Sequence, residues 1–239
     1  MIRAGVGRAG GQVLRALALG VCSSVVHACQ SAPRQDPPSG ATGKLAGDYR
    51  IKSASRPGGA PGAYSGSVAI RQVEYHYSIE WKISDLAAYS GVAIETGQFL
   101  AAGWSETKSS AVIVYEINSG KLGGHWASLD GSGKLGTELL SGSNNLNGKY
   151  EIVSGFTPRG ESYGGSASIS PHGNVYRMIW TRDGASENGV AIKKGNRLFA
   201  ARGGNGAAVM VYTVTKSGGL SGQWAQPSGA LLGTEFLTR

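Results

Sequence analysis

Apolar and polar side chains alternate along most of this chain. Tyr75, Tyr77, Ile79 and Trp81 fall on one face of a run whose other face carries His76, Ser78 and Glu80. Ala111, Ile113, Tyr115 and Ile117 line one face of another run, and Val112 and Val114 make its far face apolar too. Tyr176, Met178 and Trp180 repeat the first pattern, and Met210, Tyr212 and Val214 the second. A period of two over short runs predicts half-buried strands, and no longer window has the apolar spacing of a helix. Turn-forming stretches at 57–62, 72–74, 85–88, 96–98, 106–109, 118–120 and 130–133 delimit eight strands, each followed directly by the next. Matching turns stand at 158–161, 171–174, 183–184, 194–196, 203–206 and 216–219, several with glycine where a tight hairpin wants positive φ.

The two sets match because the chain repeats itself. Gly47-Asp48-Tyr49-Arg50-Ile51 returns as Gly148-Lys149-Tyr150-Glu151-Ile152. Tyr77 to Trp81 returns as Tyr176 to Trp180, and Gly91-Val92-Ala93-Ile94 as Gly189-Val190-Ala191-Ile192. Leu122 to Trp126 returns as Leu220 to Trp224, and Gly136 to Leu140 as Gly233 to Leu237. The offset drifts only from 101 to 97, so each copy is a domain-sized unit. The repeats span 45–142 and 143–239, joined by 143–147 alone.

Eight short hairpin-linked strands per copy predict an all-β fold of two tandem antiparallel up-and-down meanders. Closing each into a small barrel removes its exposed edges. A β-sandwich per copy, or one sheet shared by both copies, are the alternatives. Barrels this small should be filled by side chains such as Tyr77, Ile79, Trp81 and Trp126, with little room for a large ligand.

The repeated motifs resemble a bacterial family of exported tandem-repeat proteins, often labelled fibronectin-binding. The resemblance rests on Gly91 to Leu100 (G-V-A-I-x-x-G-x-x-L), Leu122 to Trp126 (L-x-G-x-W), Gly136 to Leu139 (G-T-E-x-L) and their second-copy partners. It covers nearly all of 46–239 and implies adhesion to extracellular matrix.

Composition adds an address. Residues 1–28 read as an export signal: Arg3, Arg8 and Arg15 precede the short apolar run Ala16–Val26, with small residues before Cys29. That run is too short to span a bilayer. Cys29 is either the lipidated first residue of an outer-membrane or cell-surface lipoprotein, or part of a plain cleavage site releasing a periplasmic or secreted protein. Residues 29–44, with Pro33, Pro37 and Pro38, read as a flexible tether. Cys22 lies within the signal, so no disulfide framework or cysteine metal site is expected. Glycine supplies 39 of 239 residues without a collagen period, and so serves turns.

The net charge of +8 is unevenly spread. Residues 45–142 hold 8 basic and 9 acidic side chains; 143–239 hold 10 and 5. The excess gathers at one predicted hairpin, Lys193, Lys194, Arg197 and Arg202, where the first copy has Glu95, Thr96 and Gln98. These four are the candidate binding residues, for an anionic extracellular or envelope macromolecule. Nucleic acid is disfavoured by the export signal, and contact with a membrane is expected only through a lipid at Cys29.

No catalytic residues, cofactor or metal are expected. His125 lies in a repeated motif, but its counterpart is Gln223, so the motif does not require an imidazole. Glu138 and Glu235 recur singly, where glycoside hydrolysis needs two acids per site. Their expected role is structural, accepting backbone N–H groups or pairing with a basic side chain. The recurring tryptophans read as core; Trp104, which has no tryptophan partner in the second copy, where Arg202 or a neighbour falls, is the better surface candidate. A macromolecular binding module is the leading function, with a calycin-like carrier of a small ligand inside the barrel, or a purely structural envelope protein, as alternatives. The partner and oligomeric state are not fixed by the sequence.

Overall fold

A computed structural model describes residues 42–239 apart from 85, 87, 106–109 and 205. The segment read as an export signal, Cys29, the turn expected at 106–109 and most of the expected tether lie outside the described residues. The first repeat forms β1 (Gly47–Ser55), β2 (Gly66–Val73), β3 (His76–Ile83), β4 (Ala88–Thr96), β5 (Phe99–Trp104), β6 (Ala111–Asn118), β7 (Lys121–Ser128) and β8 (Gly136–Gly142). The second forms β9 (Gly148–Phe156), β10 (Ser162–His172), β11 (Val175–Arg182), β12 (Ala185–Lys194), β13 (Arg197–Arg202), β14 (Ala208–Val214), β15 (Leu220–Ala225) and β16 (Gly233–Thr238).

The strands close into two antiparallel barrels of eight strands each, the fold class that the alternation and hairpin turns predict. The route of the chain through them is not one barrel per repeat. The second barrel is the contiguous meander β6 to β13, closed by β13 pairing with β6. The first comprises β1 to β5 and β14 to β16, closed where β5 meets β14 and where β1 meets β16. β5, expected to form a hairpin with β6, pairs instead with β4 and β14. The repeat junction at 143–147 is an ordinary connection within the second barrel, while the chain passes between barrels at 105–110 and 203–207.

The reason lies in strands that are apolar on both faces. Ile113 and Tyr115 fill the second barrel. Val112 and Val114, on the same strand, join Val92, Ile94, Val190, Phe199 and Val211 in a separate buried layer between the two barrels. Strands of this kind need a barrel interior on one side and another sheet on the other, and burial of apolar surface on both sides rewards that arrangement. The layer is latched at its ends. Tyr75 N–H donates to the Gly133 carbonyl at 3.1 Å, and Asn174 N–H to that of Ala230 at 2.8 Å. Tyr75 therefore belongs to a turn and is exposed, not on the buried face of β3.

The repeated glycines mark where interior rings pass. A Cβ at Gly91 would lie 3.1 Å from the Trp81 ring and one at Gly189 2.7 Å from that of Trp180. At Gly136 and Gly233 it would strike the indoles of Trp126 and Trp224 at 2.4 and 2.3 Å. At the crossing, Gly203 has φ of +152°, and a Cβ there would lie 3.0 Å from Ser105 and 3.2 Å from Ser110. Glycine serves there for conformation and for close passage of the two connecting segments.

Candidate functional site

One end of each barrel interior carries the same polar group. In the first barrel, Glu235 on β16 is 2 % exposed. Its carboxylate accepts hydrogen bonds from the Tyr212 hydroxyl on β14 and from Trp81 Nε1 on β3, the latter at 3.3 Å. Trp81 Nε1 also donates to the Tyr212 oxygen at 3.2 Å. Tyr64, just before β2, is a further hydrogen-bonding partner of the carboxylate. In the second barrel Glu138 on β8 accepts from Tyr115, from Trp180 Nε1 at 3.3 Å and from Tyr163 at 3.0 Å. The donors are side-chain hydroxyl and indole groups rather than the backbone amides or basic side chain expected for Gly-Thr-Glu. Burial pushes the Glu235 carboxyl above its ordinary range, against the lowering effect of its three donors. Burial, then the Glu235 charge, pushes the Tyr212 hydroxyl up in turn.

Outward from this shared floor the barrels diverge. Trp104 and Arg202 occupy equivalent places, each opposite the glycine of the G-V-A-I motif. Tyr89 and Glu187 are likewise equivalent, each opposite a floor tryptophan. Ile83 and Arg182 stand two residues beyond those tryptophans. In the second barrel Glu187 pairs with Arg182 and with Arg202, both at 3.6 Å. The Arg202 guanidinium lies 4.6 Å from the centre of the Trp126 ring, and that of Arg182 lies 5.1 Å from the centre of the Tyr163 ring. An Arg–Glu–Arg chain thus lies against the Trp126 and Tyr163 rings.

In the first barrel the same region is a cavity of about 400 Å³. Trp81, Trp104 and Trp224 form one wall, their rings 5.0 and 5.8 Å apart in succession. Tyr64, Tyr89 and Ile83 line it as well, and Glu235 and Met210 close the buried end. Exposed Arg56, Leu86 and Gln226 line the outer end. The β1–β2 connection, 56–65, is twice as long as its counterpart at 157–161, and Arg56 and Tyr64 come from it. The filled interior expected from the strand lengths therefore does not hold for the first barrel, where the longer β1–β2 connection helps to frame a cavity. Trp104 is part of the cavity wall and half-buried, not a surface residue.

The four basic candidates do not share one surface. Lys193 is exposed. Lys194 donates to the Gln223 side chain of β15, and burial lowers its pKa. Arg197 pairs with Glu116 at 3.6 Å. Arg202 is 4 % exposed, inside the second barrel. Among the described residues no three His, Cys, Asp or Glu side chains converge as metal ligands. The residues that sequence reasoning missed are Tyr64, Ile83, Tyr89 and the Arg182–Glu187 pair. For all but Tyr64, which recurs as Tyr163, the signal was the substitution of charged for neutral residues between aligned repeats, next to aromatic positions that do not change. Comparison with protein-family models, with curated proteins and with solved structures finds no match for this chain.

Proposed function

We propose that this protein binds a small organic molecule in the first barrel, and that the second barrel is its structural counterpart. The observation that carries this reading is the aromatic cavity in one barrel, at the place where its duplicate carries ion-paired side chains. Its volume lies within the range of small-molecule sites, and it combines apolar walls with few polar groups, as such sites do. The export segment supports a role outside the cytoplasm, as a carrier or sensor in the envelope. Adhesion to an anionic macromolecule has less support: of its four basic residues one is interior and two are engaged with neighbours.

The test is titration with the apolar fluorophore N-phenylnaphthylamine. The expected result is saturable binding of one dye per chain, with quenching of tryptophan emission. Trp104→Arg, which installs the side chain of the second barrel, should abolish it. Binding that is unsaturable, or unchanged in that variant, would sink the reading.

A further inference from the structure

The second barrel displays the chemistry that the shared shell accepts. Tyr, Trp and Glu recur at the same places in both barrels: Tyr163, Trp126 and Glu138 in one, Tyr64, Trp224 and Glu235 in the other. In the second barrel the ring faces of Tyr163 and Trp126 each receive a guanidinium. Arg202 also acts electrostatically on Tyr115 and Tyr163, the two hydroxyls that hydrogen-bond Glu138. Two cations, Arg182 and Arg202, there pair with the outer carboxylate, Glu187. The first barrel keeps the rings and the inner carboxylate but has lost both cations and the outer carboxylate. One negative group, Glu235, remains at its buried end, with no ion pair among the described residues. Arg56 lines the cavity at the exposed outer end, where it acts on Tyr64.

We infer that the cavity of the first barrel receives an organic cation, its ammonium or guanidinium group turned inward to Glu235 and the aromatic rings, its apolar body against Trp104 and Tyr89. The inference rests on the reading of this cavity as a ligand site and adds the ligand's charge. An aromatic enclosure attracts a cation through the negative faces of its rings, and does so most strongly where water is excluded. A buried carboxylate without a counter-charge is costly, and an incoming cation relieves that cost. The ligand thus supplies what Arg182 and Arg202 supply in the duplicate.

The experiment compares benzyltrimethylammonium with neopentylbenzene, its neutral carbon isostere, by calorimetry and tryptophan emission on the full chain at about pH 8. The cation should bind at least about tenfold more tightly than the isostere. Glu235→Gln should reduce that preference several-fold, to what the rings alone supply. Ile83→Arg, which gives the first barrel a cation of its own, should remove cation binding; it provides a readout should Glu235→Gln not fold. Equal affinity for the two compounds, or a preference for the isostere, overturns the inference and leaves the cavity reading standing. A cation preference undiminished by either substitution also overturns it. Failure of both compounds to bind overturns the inference together with the cavity reading.

Discussion

At positions 83, 89 and 104 the first barrel carries Ile, Tyr and Trp, where the second carries Arg182, Glu187 and Arg202. Ion pairs withdrawn from water bring little net stability, because desolvation offsets their attraction, and apolar replacement of the whole set is often neutral or better. The triple substitution Arg182→Ile, Glu187→Tyr, Arg202→Trp is therefore expected to keep stability within about 1 kcal/mol in a denaturant titration. Removing Arg202 alone should be worse, since Glu187 then loses one of its two partners. The exchange of Trp104 for Arg202 is readable from the aligned repeats. That Trp104 walls a cavity is not, because alternation assigns a side chain to a face but does not say how much space its neighbours leave at the end of a barrel.

Among the strands, the alternation was legible nearly everywhere, and both the number of strands and their closure follow from it. Partners were less so. Val112 and Val114 announce a second buried face on β6, yet only the third dimension shows that it meets the other barrel. The hairpin of β2 and β3 illustrates a local consequence. His76 is buried, its Nδ1 3.1 Å from the Gly133 carbonyl of the opposite barrel, and the second copy has Val175 in its place. Burial lowers the His76 pKa from 6.5, against the raising effects of that carbonyl and of Glu74. The unfolded chain then takes up the proton first, so this contribution to stability is present above about pH 6.5 and is lost as pH falls through the lowered folded value. His125 is shifted in the same direction, also by burial. Unfolding midpoints measured on either side of pH 6.5 should fall with acid, and His76→Val should make the fall shallower. An unchanged slope in that variant would remove His76 from the account.

Taken whole, the molecule is one barrel inserted into another. The repeat boundary invites cutting at 142–143, but the contiguous barrel runs from β6 to β13. A fragment of residues 110–203 is expected to unfold cooperatively on its own. It should also self-associate, since Val112, Val114, Val190 and Phe199 would lose their cover. A monomeric or non-cooperative fragment would count against the insertion topology as the unit of stability. The pairing of β1 with β16 has a consequence in time. A chain that emerges amino end first, from a ribosome or across a membrane, presents β1 to β5 earliest but can close them only when its last strands arrive. The second barrel meanwhile has all it needs. Trp81 and Trp104 would spend that interval without their enclosure, in the half-built state most prone to sticking. The cavity is thus built from strands made at widely separated times, and binding can appear only once β14 to β16 have joined β1 to β5.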